Sequence, residues 1–266
     1  MLERGGHATE NDRFLHLGTN ADAVPPSKQY SDSLFHFVKD SKLIMLPLQR
    51  RGFTLNYVRE DFSYLGIPGI SSVAFPMLCF CDILEERARL QPHEVNYGKF
   101  GIGLKKTWGR DKGVQPVHYL MSGSPFVKDL QSAFGIALQL DESDSPSGER
   151  GVSDFLVTTL AYAKPVWGLN DKGENYCFED ECEWRYVPSN LDGIPPFIPE
   201  PTDGMLENYR KTIWRPETFL LPFSYEDVDS IMVPTDEDIK RFIAIINALD
   251  ATDDEKDMLK TKLRRS

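Results

Sequence analysis

The sequence predicts a mixed α+β fold in a single domain, and three observations lead to this class. Its 266 residues suit one large domain or two small ones, with ample length for a core. The apolar, aromatic and charged fractions of 41, 11 and 27% are those of an ordinary globular protein. Strand-like and helix-like segments are intermingled without the regular β–α–β rhythm of a parallel sheet.

We divide the chain into a polar leader over residues 1–30, an α+β domain over 31–250 and a charged helical tail over 251–266. The leader lacks the apolar core of a secretory signal. No stretch approaches the roughly 20 apolar residues of a membrane span. Four cysteines without such a signal are typical of the reducing cytosol. We therefore expect a cytoplasmic protein with no membrane partner.

Hydrophobic periodicity and turn residues define the elements of the domain. Thr235 is the expected N-cap of the last helix, with Asp238 at the capping-box position. An apolar run at 155–163 is compatible with either a helix or a strand. The predicted strands are 33–38, 54–58, 73–80, 100–104, 114–121 and 229–234, and the predicted helices are 41–48, 83–90, 126–140 and 237–249.

The stretch from Val73 to Trp108 is the centre of the predicted domain. An apolar run at 73–80 and a second strand at 100–104 are joined through a charged, helix-like segment. Gly101 and Gly103 leave one face of the second strand without side chains, and glycine inside a strand marks the close approach of a ligand or another backbone. We therefore expect a cleft at this strand.

The charge and the cysteine spacing disfavour two kinds of ligand. A formal net charge of −11 makes nucleic acid an unfavourable partner, because phosphate binding needs clustered Lys and Arg. The basic groups at 105–110 leave a nucleic-acid binder as the weakest hypothesis. Cys79-x-Cys81 and Cys177-x4-Cys182 have poor spacing for a zinc site, and buried free cysteines are favoured. We expect no metal.

His36 and Arg51 are the first candidate binding residues. On a strand His36 points away from its neighbours Phe35 and Phe37, so it faces either a cleft or a second core layer. The alternative is a histidine hydrogen-bonded inside the fold. Arg51 either holds a phosphate or favourably ends a helix.

Glu181 and Glu183 are the candidate catalytic residues. In an extended conformation they share one face, and Arg185 follows on the same face. Two carboxylates at a cleft edge could hold a ribose hydroxyl, stabilise a cationic transition state or orient a nucleophile. The alternative is a solvated acidic strand in which Glu183 and Arg185 form an ion pair.

The order and the residues of several segments resemble those of the family of the lactococcal abortive-infection protein AbiGi. The resemblance covers roughly residues 33–249, and its most specific part is the central block. The matching segments are Leu34-Phe35-His36-Phe37, Phe75 to Ile83, Tyr97 to Leu104, Lys106-x-Trp108-Gly109, Gln115-Pro116-Val117-x-Tyr119, Glu181 to Arg185 and Ile231 to Pro234. The resemblance implies a bacterial phage-defence protein, often described as an antitoxin. It implies a partner toxin or a phage protein as the binding partner.

A second, more distant resemblance is to the ADP-ribosyltransferase fold, a split sheet with flanking helices. It implies NAD as a substrate, bound by His36, with Tyr57 or Tyr97 stacking on nicotinamide. Glu183 would be the catalytic carboxylate, with Glu181 beside it. The Ser-Thr-Ser strand motif of that fold is missing from this chain.

Two main hypotheses follow from the sequence. The first is a defence-associated enzyme that uses NAD, as an ADP-ribosyltransferase or an NAD glycohydrolase. The second is a non-catalytic antitoxin or sensor module that binds a partner toxin, for which the acidic surface suits a basic partner.

Overall fold

The computed structural model describes residues 30–88, 97–137, 152–170, 172–188, 193–213 and 219–265. The predicted leader, apart from Tyr30, and the ends of the predicted helices 83–90 and 126–140 lie outside the described residues. Strands and helices are mixed along the described chain, which confirms the α+β class. Within these ranges, no helix is both long enough and apolar enough to cross a membrane.

The elements follow the chain in two groups. Those up to residue 137 are β1 (Ser33–Val38), α1 (Lys42–Arg50), β2 (Gly52–Thr54), β3 (Asn56–Asp61), β4 (Ser72–Cys81), α2 (Glu85–Ala88), β5 (Phe100–Lys105), α3 (Lys106–Asp111), β6 (Gln115–Pro116), β7 (His118–Leu120) and α4 (Pro125–Ala137). Those from residue 152 onwards are α5 (Val152–Ala161), β8 (Ala163–Pro165), β9 (Trp167–Leu169), β10 (Asn175–Cys177), β11 (Glu183–Tyr186), β12 (Ile198–Pro199), α6 (Asp203–Ile213), β13 (Leu220–Pro222), β14 (Val228–Val233), α7 (Asp236–Asn247), α8 (Asp253–Thr261) and β15 (Leu263–Arg265).

Several predicted elements are confirmed where the local signal is strong. The strands predicted at 33–38 and 73–80 are β1 and β4, and the run left open at 155–163 lies mostly in the helix α5. Thr235 is the N-cap of α7, and its side chain accepts a hydrogen bond from the Asp238 N–H at 3.1 Å.

The main sheet has the strand order β15-β14-β5-β1-β4-β11-β6, and β3 and β12 also pair with β4. Its neighbouring strands are antiparallel except for β14 and β15. The first half of β4 pairs with β3 and β12, and the second half pairs with β11. Because β15 follows α8, the chain after residue 250 completes one edge of this sheet.

The two faces of the sheet carry separate apolar clusters, and alternation along β4 assigns side chains to each. Leu78 and Phe80 point to the face covered by α1, α3, α6, α7 and α8, which we call the Phe80 face. Phe75 and Met77 point to the opposite face, where they pack with α4 and α5. We call this the Phe75 face.

Gly101 and Gly103 of β5 turn their bare side to the Phe75 face. They pair with Phe37 and Phe35 of β1. A Cβ atom added at Gly103 would lie 2.7 Å from the Phe35 ring, and one added at Gly101 would lie 2.8 Å from the Phe37 ring. The cleft predicted at this strand is therefore filled by two phenylalanine rings of the neighbouring strand.

Candidate functional site

The two glutamates predicted as catalytic lie on the Phe75 face, beside the second half of β4. Glu183 opposes Cys81 and Arg185 opposes Cys79 in the register of β4 and β11. Both side chains are buried, since Arg185 is 0% and Glu183 is 4% exposed. A buried charge is stable only when it is paired, and the surrounding chain supplies the partners.

Arg185 and Glu183 form a two-point ion pair. Arg185 Nε donates to Glu183 Oε1 at 2.7 Å, and Nη2 donates to Oε2 at 3.2 Å. The guanidinium also donates to Glu60 Oε1 at 2.9 Å and to the carbonyl oxygen of Ala161 at 2.8 Å. The ion pair that the sequence allowed is confirmed, but the strand is buried and not solvated.

Lys164 of β8 joins the two glutamates. Its Nζ lies 2.6 Å from Glu183 Oε2 and 2.5 Å from Glu181 Oε2. Glu181 ends a 3-10 helix over Phe178–Glu181, and Cys182 then turns the chain in the left-handed region at φ 45°. The prediction that Glu181 and Glu183 share one face of an extended strand is wrong, because this turn lies between them. Lys164 is the partner that the two carboxylates share among the described residues.

Tyr97 and Tyr119 complete the surroundings of the glutamates. Tyr97 Oη donates to Glu181 Oε1, and Tyr119 Oη accepts the N–H of Glu183 at 2.7 Å. Lys164 Nζ also lies 4.9 Å from the centre of the Phe178 ring. We call the five charged residues the buried ion network: Glu60, Lys164, Glu181, Glu183 and Arg185.

Burial and pairing move the pKa values in the network in different directions. Burial raises the pKa of Glu181, and Lys164 only partly offsets this. Burial would also raise the pKa of Glu183, but Arg185 and Lys164 outweigh it and hold that pKa well below its usual value. Burial lowers the pKa of Lys164, yet the two glutamates outweigh it and raise that pKa. Of the two glutamates that contact Lys164, Glu181 therefore takes up a proton more readily than Glu183.

His36 lies on the opposite side of the sheet from Glu183. Phe35 opposes Cys81, which in turn opposes Glu183, so these three share the Phe75 face. The next residue, His36, therefore faces the Phe80 face. Its Nδ1 lies 2.9 Å from the Cys79 carbonyl oxygen, and its ring centre is 5.1 Å from that of Phe53. Burial lowers the pKa of His36.

Arg51 and Tyr57 have partners of their own. Arg51 is the C-cap residue of α1 at φ 51°, and it pairs with Glu255 at 2.7 Å. Its guanidinium also lies 4.2 Å from the centre of the Tyr225 ring. Tyr57 is 0% exposed in the core of the Phe80 face, and its hydroxyl donates to the Pro195 carbonyl oxygen at 2.5 Å.

Of the six predicted site residues, the structure therefore brings together Glu181, Glu183 and Tyr97. It leaves His36, Arg51 and Tyr57 in other surroundings. The sequence analysis missed Lys164 and Glu60. A lysine between Ala163 and Pro165, at the end of an apolar run, was the signal that could have indicated a buried cation.

The network is suited to holding elements together. All four carboxylate oxygens of Glu181 and Glu183 accept a hydrogen bond from Tyr97, Lys164 or Arg185. A carboxylate that acts on a substrate must present an oxygen to it. Here those oxygens face side chains of the same chain: Arg185 of the same strand, and Tyr97 and Lys164 from other parts of the fold. With the bond from Arg185 to Glu60, the network joins β3, β8 and β11.

A cleft of about 570 Å³ lies beside the network. It touches the network through Ala161, whose carbonyl oxygen accepts from Arg185. None of the six predicted site residues lines this cleft. Its walls include Phe75, Lys112, Asp154, Tyr162, Tyr186 and Phe197.

The cysteines and acidic residues give no metal site within the described ranges. The four cysteines are free, and Cys81 is buried while the other three are partly buried. Among the described residues, no group of three or more His, Cys, Asp or Glu side chains is arranged to hold a metal ion.

The chain is similar to proteins of phage resistance. A family model described as "Putative abortive phage resistance protein AbiGi, antitoxin" matches residues 51–234. The "Abortive phage resistance protein AbiGi" of Lactococcus lactis subsp. cremoris is 31% identical over 217 residues, which span 73% of this chain and 87% of that protein. No solved structure matches. The segment matched by the family model contains every member of the buried ion network and excludes His36.

Proposed function

The chain belongs to the AbiGi family of abortive phage resistance proteins, and from this premise we propose that it is an antitoxin that neutralises a partner toxin by binding it. No catalysis of its own is needed for this role. The description of the family model names the antitoxin role. The net charge of −11 suits a partner with a basic surface, because complementary charge speeds association and selects the partner.

One observation supports the non-catalytic part of this proposal: the carboxylates of Glu181 and Glu183 are buried and already hydrogen-bonded within the chain. Glu183 is 4% exposed and both its oxygens face cations of the same chain. To act on a substrate it would have to break its ion pair with Lys164 or Arg185, which would then keep only Glu181 or Glu60 as a buried anionic partner. That is unfavourable, because breaking a buried ion pair costs free energy, about 3–5 kcal/mol where a charge is left uncompensated.

The competing hypothesis is an ADP-ribosyltransferase or NAD glycohydrolase. It requires His36 and Glu183 at one NAD molecule. The register of β1, β4 and β11 places their side chains on opposite faces of the sheet. The geometry therefore favours binding over this catalysis.

Co-expression tests the proposal. Each protein encoded by a gene that flanks this one is induced alone and then together with the chain, and growth is followed. We expect one flanking product to stop growth alone, the wild-type chain to restore growth, and the two proteins to co-elute in gel filtration. Failure to restore growth against every toxic flanking product would contradict the proposal.

Glu181→Gln is the variant that separates binding from catalysis. Burial favours the neutral form of Glu181, and Glu183 remains as a buried partner of Lys164, so we expect a chain with an amide at this position to keep its fold. An antitoxin that acts by binding restores growth with this variant as well as with the wild type. A folded Glu181→Gln chain, verified by circular dichroism, that binds the toxin and fails to restore growth would indicate a catalytic role.

A further inference from the structure

The strands β9 and β10 form a two-stranded ribbon that is separate from the main sheet. Trp167, Gly168 and Leu169 pair with Cys177, Tyr176 and Asn175. One side of the ribbon packs on the 3-10 helix, since a Cβ atom added at Gly168 would lie 2.9 Å from the Phe178 ring. The N–H of Phe178 also donates to the Val166 carbonyl oxygen at 2.9 Å. The ribbon is therefore fixed to the body of the protein by one side.

The other side of the ribbon presents large apolar side chains to solvent. Trp167 is 62% and Leu169 is 64% exposed. Met121 is 54% exposed, and its backbone lies near the start of the ribbon because the preceding residue, Leu120, accepts a hydrogen bond from the Val166 N–H at 3.1 Å. Tryptophan is highly buried on average. The other tryptophans within the described ranges follow that rule, since Trp108 is 4% exposed and Trp184 is partly buried.

Exposed carboxylates lie on the elements next to this apolar surface, and we call them its rim. Glu174 follows the turn of the ribbon, and Glu179 and Asp180 lie in the 3-10 helix beneath it; all three are exposed. Two cations are also present: Lys172 in the turn, and Arg87, which lies 4.0 Å from Asp180. The rim thus carries three carboxylates against two cations, on a chain with a net charge of −11.

We infer that the surface formed by Met121, Trp167 and Leu169, with its rim of Glu174, Glu179 and Asp180, is where the partner toxin docks. This inference rests on the proposed antitoxin function and locates its binding surface. An exposed tryptophan with an apolar neighbour on a fixed ribbon is the type of anchor that dominates protein interfaces. The partner that fits is a protein with an apolar pocket for the indole and a basic border that faces the carboxylates.

The test measures affinity for the flanking-gene product whose toxicity the wild-type chain neutralises. Trp167→Ala should raise the dissociation constant on the order of 30-fold or more, which is the range of an interface hot spot. Trp167→Phe should recover part of this loss because it keeps an aromatic anchor. The matched control is Phe155→Ala on α5, where the side chain is 68% exposed, and it should leave the dissociation constant unchanged.

The charged rim is tested separately. Glu179→Lys should weaken binding, whereas Glu237→Lys, at an exposed carboxylate on α7, should leave it unchanged. Raising the salt from about 0.05 to about 0.5 M should weaken the wild-type complex, because exposed charge pairs are screened. The unfolding midpoint of each variant serves as the check that the fold is intact.

The outcomes separate this inference from the function on which it rests. If the wild type neutralises a toxin and Trp167→Ala binds it as tightly as Phe155→Ala does, the docking surface is elsewhere and the antitoxin function stands. If the wild type neutralises none of the flanking products, both the antitoxin function and the docking surface are contradicted. If the wild type is a dimer that Trp167→Ala converts to a monomer, the surface joins two copies of this chain and the inference is overturned.

Discussion

Replacing Lys164 with methionine tests whether the buried ion network stabilises the fold. The side chain of Lys164 is 12% exposed, and its partners Glu181 and Glu183 are 2% and 5% exposed. Removing one partner from a buried ion pair costs about 3–5 kcal/mol, because it leaves an uncompensated charge in a poorly solvated site. We expect the free energy of unfolding of Lys164→Met to fall by that amount, a large share of the about 5–15 kcal/mol typical of a domain.

The loss of stability in Lys164→Met, which we call the deficit, depends on pH. The direction of this dependence follows from Glu181. Burial raises the pKa of Glu181 in the folded protein, and loss of Lys164 raises that pKa further. A carboxyl group whose folded pKa exceeds its unfolded value adds stability below the unfolded pKa, and this contribution is lost as the pH rises through the folded pKa. The deficit of Lys164→Met is therefore larger at about pH 8 than at about pH 5.

Urea unfolding followed by circular dichroism at the two pH values measures this deficit. Lys240→Met is the matched control, because Lys240 and Glu237 form an exposed ion pair at 3.6 Å with side chains 75% and 85% exposed. Such a pair contributes about 0–1 kcal/mol. A deficit below about 1 kcal/mol for Lys164→Met, or one that does not change with pH, would refute the reasoning. Adding Glu181→Gln to Lys164→Met should recover part of the lost stability at high pH.

Three further predictions address the sheet, a helix cap and a surface carboxylate. Gly103→Ala should lower the free energy of unfolding, measured with urea, by about 1–3 kcal/mol, because its methyl group would overlap the Phe35 ring. Gly204→Ala in α6 is the control: a Cβ atom added there would contact nothing within 4 Å, so this change should be neutral or stabilising. Thr235→Ala should cost about 1 kcal/mol in the same assay through loss of the α7 cap, and a cost near zero would contradict the cap. The Glu200 carboxylate should titrate at a pKa of about 2 in an NMR titration, because neighbouring backbone N–H groups donate to it, and an ordinary pKa would contradict those bonds.

Elements with a strong local pattern were predictable from the sequence. A long apolar run predicts the strand β4. Thr235, followed by Asp238 three residues later, predicts the start of α7. Both signals lie within a short stretch of the sequence. They need no information about the rest of the fold.

The position of Glu181 was not predictable in the same way. Its displacement from the strand depends on Cys182 in the left-handed region at φ 45°. A non-glycine residue rarely adopts that conformation, and cysteine carries no local signal for it. The alternation of Glu181 and Glu183 therefore indicated one extended strand where the chain bends.

The partners of the glutamates depend on tertiary structure. Lys164 lies 17 residues before Glu181, on a strand outside the main sheet, and Glu60 lies 125 residues before Arg185. Similarly, Gly101 and Gly103 indicated a cleft because the sequence does not show that Phe35 and Phe37 lie opposite them. Sequence spacing identified Glu181, Glu183 and Arg185, but neither Lys164 nor Glu60, which contact them only in the folded chain.

The most direct test of whether Glu183 serves the fold or a reaction is nicotinamide release from NAD by the purified wild-type chain, with and without a phage lysate. We expect no release above a blank without protein. Under the proposed antitoxin function, the same chain should bind a toxic product of a flanking gene, and this binding serves as the check that the preparation is folded and active. Release of nicotinamide that is lost in both Glu183→Gln and His36→Asn chains of verified fold would contradict the proposed antitoxin mechanism and establish an NAD-using enzyme.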